Sequence, residues 1–251
     1  MPTLALKLVL TPVLIGSASL IGRRFGPGVA GWLIGLPFTS GPITFFLALD
    51  HGEAFASRAA AGILGGTASQ VAFALAYAYV AQRRAWPAAL FVGTAAFGLT
   101  TAALEIVSPP LVAVAILAIA SLLVGIRLLH AGQAIRERSV LPRWDLPARM
   151  VLATAFVLAL TALAERLGPY LTGLLAPYPL YATILAAFAH QQEGAEAAAR
   201  TLRGLLFGLF AFVGFFLVLA VTLESFGLMP SFALALLVAL ALEGASFRLA
   251  R

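Results

Sequence analysis

Nine apolar stretches, each close to the length that a helix needs to cross a bilayer, make up most of the chain. A membrane-spanning helix takes about 20 predominantly apolar residues. The stretches fall at roughly 3–22, 28–49, 58–82, 86–106, 110–130, 148–165, 169–190, 201–223 and 227–247. Charged residues make up only 10% of the chain, whereas soluble domains carry about 25%. The sequence therefore predicts an all-α, polytopic membrane helical bundle with about nine transmembrane helices.

Two of these stretches carry a pair of prolines near their centres. Pro37 and Pro42 lie in the stretch 28–49, and Pro177 and Pro179 lie in the stretch 169–190. Proline removes a backbone donor and clashes with the preceding turn, so a helix kinks or stops there. Inside lipid, the freed backbone groups must be satisfied by protein or by a water-lined cavity. We therefore expect two Pro-broken helices, a feature that is typical of the substrate sites of secondary transporters.

The two proline-bearing stretches belong to an internal repeat with an offset of 142 residues. Residues 24–66 align without gaps on residues 166–208, and 13 of the 43 positions are identical. The identical positions include Arg24/Arg166, Gly26/Gly168, Pro27/Pro169, Gly31/Gly173, Pro37/Pro179, Gly52/Gly194, Arg58/Arg200, Gly62/Gly204 and Gly66/Gly208. One connecting span between two four-span units reverses the direction of the second unit. We thus predict an inverted 4+1+4 repeat, with the first unit over 1–109, a connecting helix and loop over 110–147, and the second unit over 148–251.

Two glycine pairs within the repeat predict close helix packing. The patterns Gly62-x-x-x-Gly66 and Gly204-x-x-x-Gly208 lie in the third and eighth spans. Small residues four positions apart let two helix backbones approach closely in a membrane. Either the two helices cross each other at a pseudo-twofold axis, or each pair mediates packing within its own half of the chain.

Basic residues are distributed unequally between the two sides of the predicted bundle. With the N-terminus outside, 13 of the 16 lysine and arginine residues lie on the cytoplasmic side, and Lys7, Arg58 and Arg166 lie outside. Cytoplasmic loops of membrane proteins are enriched in these residues. We therefore expect a multi-pass protein of the bacterial inner membrane, N-terminus out and C-terminus in, with a cytoplasmic loop at 131–147. The formal charge of +6 is accounted for by this anchoring, so no nucleic-acid partner is expected.

The predicted breaks supply the first candidate substrate-binding residues. Pro37, Thr39 and Ser40 lie at the first break, while Pro179, Tyr181 and Thr183 lie at or just after the second. Interrupted helices expose backbone groups, and half-helix N-termini favour anionic ligands. We expect these residues to line one central site between the repeats. The alternative is a pair of structural kinks whose hydroxyl groups only satisfy the local backbone.

Three further residues are candidates for substrate contact. Gln70 lies near the middle of the third span, where a polar side chain usually faces the bundle interior. It binds either a ligand or a neighbouring helix. Arg58 and Arg200 begin the helices after the two broken stretches, where they can attract an anionic substrate or anchor the helices at lipid headgroups.

Acidic and histidine residues inside or beside the spans are candidates for proton coupling. Glu243 lies more than one turn inside the last span, although it could also reach the interface towards Arg248. His190 follows the second broken helix, and Asp50, His51 and Glu53 follow the first; each cluster could titrate near neutral pH or form a wet polar cap. Glu105 and Glu224 are expected at the interface. No metal site, cofactor, nucleotide-binding motif or hydrolase motif is expected, so the sequence does not indicate an enzyme.

The second broken helix also resembles a known family. Its features Gly173-Leu174, Pro179, Ala189-His190, Gly194 and Arg200-Thr201 resemble those of the GlpM-type family of small bacterial inner-membrane proteins. Members are about as long as one half of this chain, and some are associated with alginate production. The first half looks like a diverged copy in which Ala48 replaces the histidine. The resemblance implies an inner-membrane location and a connection with the cell envelope.

Two functions are compatible with these patterns. The first is a small secondary transporter or lipid-carrier translocator that works by alternating access around the two broken helices. Its partners would be the lipid bilayer and a small anionic or lipid-linked substrate, and a homodimer is compatible with the architecture. The alternative is a non-transporting membrane scaffold in the assembly of envelope polysaccharide or lipid.

Overall fold

The structure, a computed structural model, describes residues 7–9, 12, 13, 16, 37–129 and 145–249. Over this part of the chain it is helical and contains no strand. We number the helices α1 (Ser40–His51), α2 (Glu53–Ala81), α3 (Trp86–Val107), α4 (Leu111–Leu128), α5 (Asp145–Leu167), α6 (Pro169–Leu175), α7 (Leu180–Glu193), α8 (Ala195–Phe226) and α9 (Leu228–Leu249). The predicted all-α fold class is therefore confirmed.

Six of the described helices are long and apolar enough to cross a membrane, as in a multi-pass membrane protein. They are α2, α3, α4, the segment Met150–Leu167 of α5, α8, and the segment Leu228–Ala245 of α9. The helices α1, α6 and α7 are shorter, with 12, 7 and 14 residues. Most of the predicted first span at 3–22 lies outside the described residues. The total of nine spans therefore stays a prediction.

The two longest helices form the centre of the bundle. In an apolar stretch of 18 residues of α2, 78% of the residues are buried, and in the corresponding stretch of α8, 61% are buried. In the corresponding stretches of α3, α4, α5 and α9, only 22% to 28% of the residues are buried. The outer helices turn large apolar side chains outward, such as Phe91, Ile116 and Leu237. Such an arrangement suits lipid as the surrounding solvent, because apolar side chains on the outside then cost nothing.

Helices α2 and α8 run antiparallel and pack side by side. Near one end, the Ser57 hydroxyl donates a hydrogen bond to the Ala220 carbonyl oxygen at 3.0 Å. Further along, Val71 and Leu206 meet at Gly125 of α4, where an added Cβ would lie 2.7 Å and 2.9 Å from their side chains. Residue numbers thus rise along α2 as they fall along α8. The connecting helix α4 packs against both helices.

The boundaries of the helices repeat with the same 142-residue offset that aligns the sequence. Helix α3 spans Trp86–Val107 and α9 spans Leu228–Leu249, so both ends differ by 142. Helices α2 and α8 begin at residues 53 and 195, directly after Gly52 and Gly194. These two glycines have φ angles of 87° and 93°, a conformation that only glycine adopts readily. The equivalence therefore extends well beyond the aligned residues 24–66.

The glycine pair of α2 packs against α6 and the segment that follows it. A Cβ added at Gly62 would lie 2.3 Å from the Tyr170 carbonyl oxygen, and one added at Gly66 would lie 2.3 Å from Pro177 Cγ. Conversely, a Cβ on Gly173 would lie 2.0 Å from the Ala59 carbonyl oxygen. The two helices α2 and α8 do pack against each other, but the nearest neighbours of Gly62 and Gly66 lie in the second half outside α8. This glycine pair therefore mediates neither the predicted crossing nor packing within the first half.

Candidate functional site

The start of α1 contacts the second proline-rich break directly. Pro37 and Thr39 immediately precede the first turn of α1, and the stretch before Pro37, where the sequence predicts the first part of a broken helix, lies outside the described residues. The second break comprises residues 176–179, between the end of α6 and the start of α7. The buried hydroxyl of Ser40 donates a hydrogen bond to the carbonyl oxygen of Ala176 at 3.0 Å. Residues 136 positions apart in sequence are thereby brought together at one point.

This bond satisfies a backbone group that the second break leaves free. In an uninterrupted helix, the Ala176 carbonyl oxygen would accept from the N–H of residue 180. Here the Leu180 N–H donates instead to the Tyr178 carbonyl oxygen at 2.8 Å, and the Tyr178 N–H donates to Leu175. The Ser40 hydroxyl takes the place of the missing helical donor. The polar backbone of the break is thus paired within the protein, as an apolar surrounding requires.

The residues predicted at the two breaks lie near the Ser40–Ala176 hydrogen bond in sequence. The structure describes the side chains of all of them except Tyr181. Pro37, Ser40 and Pro179 are buried, and Thr39 is half-buried. Thr183 lies one turn into α7 and is 9% exposed. Its hydroxyl is buried and has no hydrogen-bond partner in the described structure. Tyr181 is in α7, but its side chain lies outside the description.

One face of α2 contacts the second broken helix along its length, from α6 through the break to the end of α7. Gly62 and Gly66 meet α6 and Pro177, the ring of Phe73 lies 6.3 Å from that of Tyr178, and the Tyr77 hydroxyl lies 3.5 Å from His190 Nδ1. Residues three and four apart share one face of a helix. Gln70 is one turn beyond Gly66 on this face and is only 3% exposed. It therefore belongs to the interior beside the second break, as the sequence predicts.

Tyr178 and Thr94 belong to the same region. The sequence places Tyr178 at the second break with Tyr181 and Thr183, whereas it does not single out Thr94. The Tyr178 ring lies 5.3 Å from Phe97 and 6.5 Å from Phe156, which places it between α3 and α5. Its hydroxyl is 2.9 Å from Thr94 Oγ1, and this pair is exposed. A proline on either side of Tyr178 was a signal that its side chain projects from an irregular backbone. Thr94 offered no comparable signal, because a lone threonine in an apolar helix is common.

The remaining predicted residues are distant from the contact between the breaks. Arg58 is exposed near the start of α2, and Arg200 is half-buried near the start of α8, where it lies 4.0 Å from Glu196. Because α2 and α8 are antiparallel, the two arginines occupy opposite ends of the central pair. His190 is near the far end of α7, about 15 Å along the helix from Pro179 at 1.5 Å per residue.

Glu243 lies inside the bundle and not at its surface. It is 3% exposed and sits on α9, the helix that packs against α8. Its repeat counterpart is Thr101, whose hydroxyl donates to Ser69 of α2 at 3.0 Å. Glu243 thus occupies the equivalent position between α9 and α8.

The site described above was derived from this chain alone, without a related protein of known structure. The resemblance of residues 170–201 to the GlpM-type family rests on the short sequence motif alone and stays a prediction. Searches of family models, of curated proteins and of solved structures find no match for the chain.

Proposed function

We propose that the protein is a small secondary transporter or lipid-carrier translocator that works by alternating access around its two broken helices. The observation that carries this proposal is the hydrogen bond from Ser40 to the Ala176 carbonyl oxygen. It joins the start of α1, where the sequence predicts the first break, to the second break between α6 and α7. In transporters built from repeats, substrate sites lie between such discontinuous helices.

An inverted 4+1+4 repeat of nine spans is part of this proposal. Two observations support it. Equivalent helices begin and end 142 residues apart, and the equivalent helices α2 and α8 lie side by side and antiparallel. Two similar units whose matching helices run in opposite directions are related by a rotation of about 180° around an axis in the membrane plane.

The contact between the breaks is weak enough to open and close. Hydrogen bonds between helices in membranes contribute on average about 0.6 kcal/mol, so a ligand that offers a donor to Ala176 and an acceptor to Ser40 can replace the bond at little cost. The Thr183 hydroxyl has unused hydrogen-bonding capacity nearby. Gln70 adds an amide on the adjoining face of α2. These groups would hold the polar part of the substrate.

The proposed substrate is a small anion or an anionic lipid-linked group. Half-helix N-termini at the breaks favour negative charge, and Arg58 and Arg200 would attract it from opposite ends of the central pair. We also propose that the protein resides in the bacterial inner membrane with its N-terminus outside, and that Glu243 and His190 take part in proton coupling.

A second candidate is a rigid scaffold in envelope assembly, and one observation favours it. Gly62, Gly66 and Gly173 leave no room for a Cβ between α2 and α6, so these two helices form a tight unit. A scaffold needs only such rigid packing, whereas a transporter also needs movement at the contact between α1 and the second break. The two functions therefore differ in whether that contact admits water and ligand.

Ligand binding at the breaks distinguishes the two functions. We would screen the purified protein for stabilisation by envelope lipids, sugar phosphates and small anions, and repeat each hit with Ser40→Leu. A transporter should be stabilised by a ligand that no longer stabilises Ser40→Leu. The matched control is Thr161→Val, because the Thr161 hydroxyl bonds only carbonyl groups of its own helix, Val157 at 2.8 Å and Leu158 at 3.3 Å. A hit that stabilises all three proteins equally would favour the scaffold.

A further inference from the structure

A charged corner connects the far end of α1 with three other parts of the chain. The corner comprises residues 50–53, which are the last two residues of α1, Gly52 and the first residue of α2. Gly52 gives the corner its sharp turn with a φ angle of 87°. Asp50, His51 and Glu53 each contact a different element. We call this segment the 50–53 corner.

The first contact is an ion pair with the single lysine of the chain. Lys7 Nζ lies 2.6 Å from Asp50 Oδ2, with the Lys7 side chain only 9% exposed and that of Asp50 21% exposed. The same ammonium lies 5.4 Å from the ring centroid of Phe46, which is fully buried. A pair held largely out of water in this way is costly to break by removing one partner, because the other charge is left unpaired.

The other two contacts join the corner to the second half of the chain. His51 Nδ1 lies 3.8 Å from Glu165 Oε1, near the end of α5. Glu53 Oε1 accepts a hydrogen bond from the Leu228 N–H at 2.9 Å. A carboxylate at this position satisfies one of the free N–H groups at the start of α9 and interacts favourably with its dipole.

Helix α1 is therefore held at both of its ends. At one end Ser40 bonds Ala176 in the second break. At the other end, about 16 Å away for 11 residues at 1.5 Å each, the 50–53 corner is fastened to the N-terminal segment, α5 and α9. Moving α1 away from the second half requires the release of both ends.

The repeat does not provide the same capping group at the opposite corner. The position equivalent to Glu53 is Ala195, which has no carboxylate to offer the start of α3. Asp50 corresponds to Gln192, which carries no charge. The opposite corner carries Glu193 as the counterpart of His51, but it lacks carboxylates equivalent to Asp50 and Glu53, so these two contacts belong to one corner alone.

We propose that α1 is the mobile gate on the membrane face that carries the 50–53 corner, and that Lys7–Asp50, His51–Glu165 and Glu53–Leu228 hold this gate shut. The inference rests on the proposed transport function, since a gate needs a pathway to close. Opening moves Lys7 and Asp50 into water, which rehydrates this sheltered pair and offsets the lost contact. Glu53 and Glu165 are exposed already, so their contacts break at little cost. The three contacts are thus stable in the closed state and reversible.

The test uses the absence of cysteine from the chain. A single reporter, Thr183→Cys, is placed beside the breaks, and its reaction with a membrane-impermeant maleimide is measured separately from each face. The gate variants are Asp50→Asn with Glu53→Gln, and Lys7→Met. The matched control is Glu224→Gln, which removes an exposed carboxylate at the same end of the central pair. Exchange of the ion pair, Lys7→Asp with Asp50→Lys, tests the charge pairing itself.

We expect the gate variants to react about tenfold faster from the face that carries the corner, the change that a loss of about 1.4 kcal/mol gives. The control and the exchanged pair should react at the parent rate, with unchanged unfolding temperatures. An unchanged rate in the gate variants, with the reporter still reactive from the opposite face, would overturn the gate and leave the transport proposal standing. If the Thr183→Cys reporter reacts from neither face in any of the variants, both the gate proposal and the transport proposal are overturned.

Discussion

The Ser40 hydroxyl donates a hydrogen bond at 3.0 Å to the carbonyl oxygen of Ala176, the residue that precedes Pro177. The two residues belong to different halves of the chain, because Ser40 begins α1 and Ala176 lies in the break between α6 and α7. The carbonyl group is free because Leu180 turns its N–H to Tyr178. The break in one half is therefore completed by a side chain from the other half. A local kink that satisfied itself would not need such a partner.

The backbone contact between α2 and α6 predicts that Gly173→Ala is strongly destabilising. The new Cβ would lie 2.0 Å from the Ala59 carbonyl oxygen, and backbone cannot move aside as a flexible side chain can. We expect a loss of about 3 kcal/mol or more, at the upper end of the cost of overpacking. The measurement is the unfolding temperature of the purified variant in detergent.

Gly98→Ala provides the matched control for this substitution. Gly98 lies within α3, and an added Cβ there meets nothing within 4 Å. Alanine is favoured over glycine inside a helix by about 1 kcal/mol, so this variant should be as stable as the parent or slightly more stable. Equal unfolding temperatures for Gly173→Ala and Gly98→Ala would contradict the described α2–α6 packing.

Sequence predicts the backbone of this protein better than its contacts. Pro177 and Pro179 act on their own helix through missing N–H groups, and Gly52 and Gly194 act through their own φ angles. Such effects are local, so the second break, the corners and the 142-residue offset can be read from the residues. The partners of Gly62 and Gly66 cannot be read in this way. The glycine spacing predicts that some backbone approaches closely, but α6 begins more than 100 residues later.

The residues of the candidate site show the same difference between local features, which the sequence predicts, and contacts between distant segments, which it does not. Ser40, Thr183 and Gln70 were predicted because each is a polar residue at a break or in an apolar helix, where burial demands a reason. Thr94 was missed because its contact with Tyr178 depends on how α3 lies against the second break. Arg58 and Arg200 were predicted to lie at opposite faces. The antiparallel arrangement of α2 and α8 places them at opposite ends of this pair.

The antiparallel register of α2 and α8 predicts which cysteine pairs can be cross-linked. Ser57 lies beside Ala220, so Ser57→Cys with Ala220→Cys should cross-link rapidly under mild oxidation or with a short reagent. Ala220 is 16 residues, or about 24 Å, from Gly204 along α8, and an added Cβ at Gly204 meets nothing within 4 Å. Ser57→Cys with Gly204→Cys should therefore remain unlinked. Cross-linking of the second pair but not the first would refute the described register.

The distribution of basic residues predicts the orientation of the chain in the membrane. Arg136, Arg138 and Arg143 lie in the predicted cytoplasmic loop, before α5 begins at Asp145, and a loop with this charge is expected to remain in the cytoplasm. A single cysteine at residue 140 should resist a membrane-impermeant maleimide in intact cells and react after the cells are opened. A cysteine at Gly52 would perturb the corner, so Ala54→Cys serves as the outside control and should react in intact cells. The reverse pattern would show that the orientation is opposite to the predicted one.

The last prediction concerns the hydroxyl that joins the two breaks. Ser40→Ala removes the bond to Ala176 and adds no bulk, so its structural cost should be small, about 1 kcal/mol. Ser40→Leu adds bulk at a buried position where two broken helices meet, and it should abolish ligand stabilisation or uptake. Thr44→Val is the matched control, because the Thr44 hydroxyl donates to the Ser40 carbonyl oxygen within the same helix at 3.0 Å. If the contact is a substrate gate, Ser40→Ala should alter uptake or ligand affinity more than it alters the unfolding temperature, whereas Thr44→Val should change neither appreciably. A loss of stability and activity in parallel for both Ser40 variants would instead assign Ser40 a structural role and favour the scaffold.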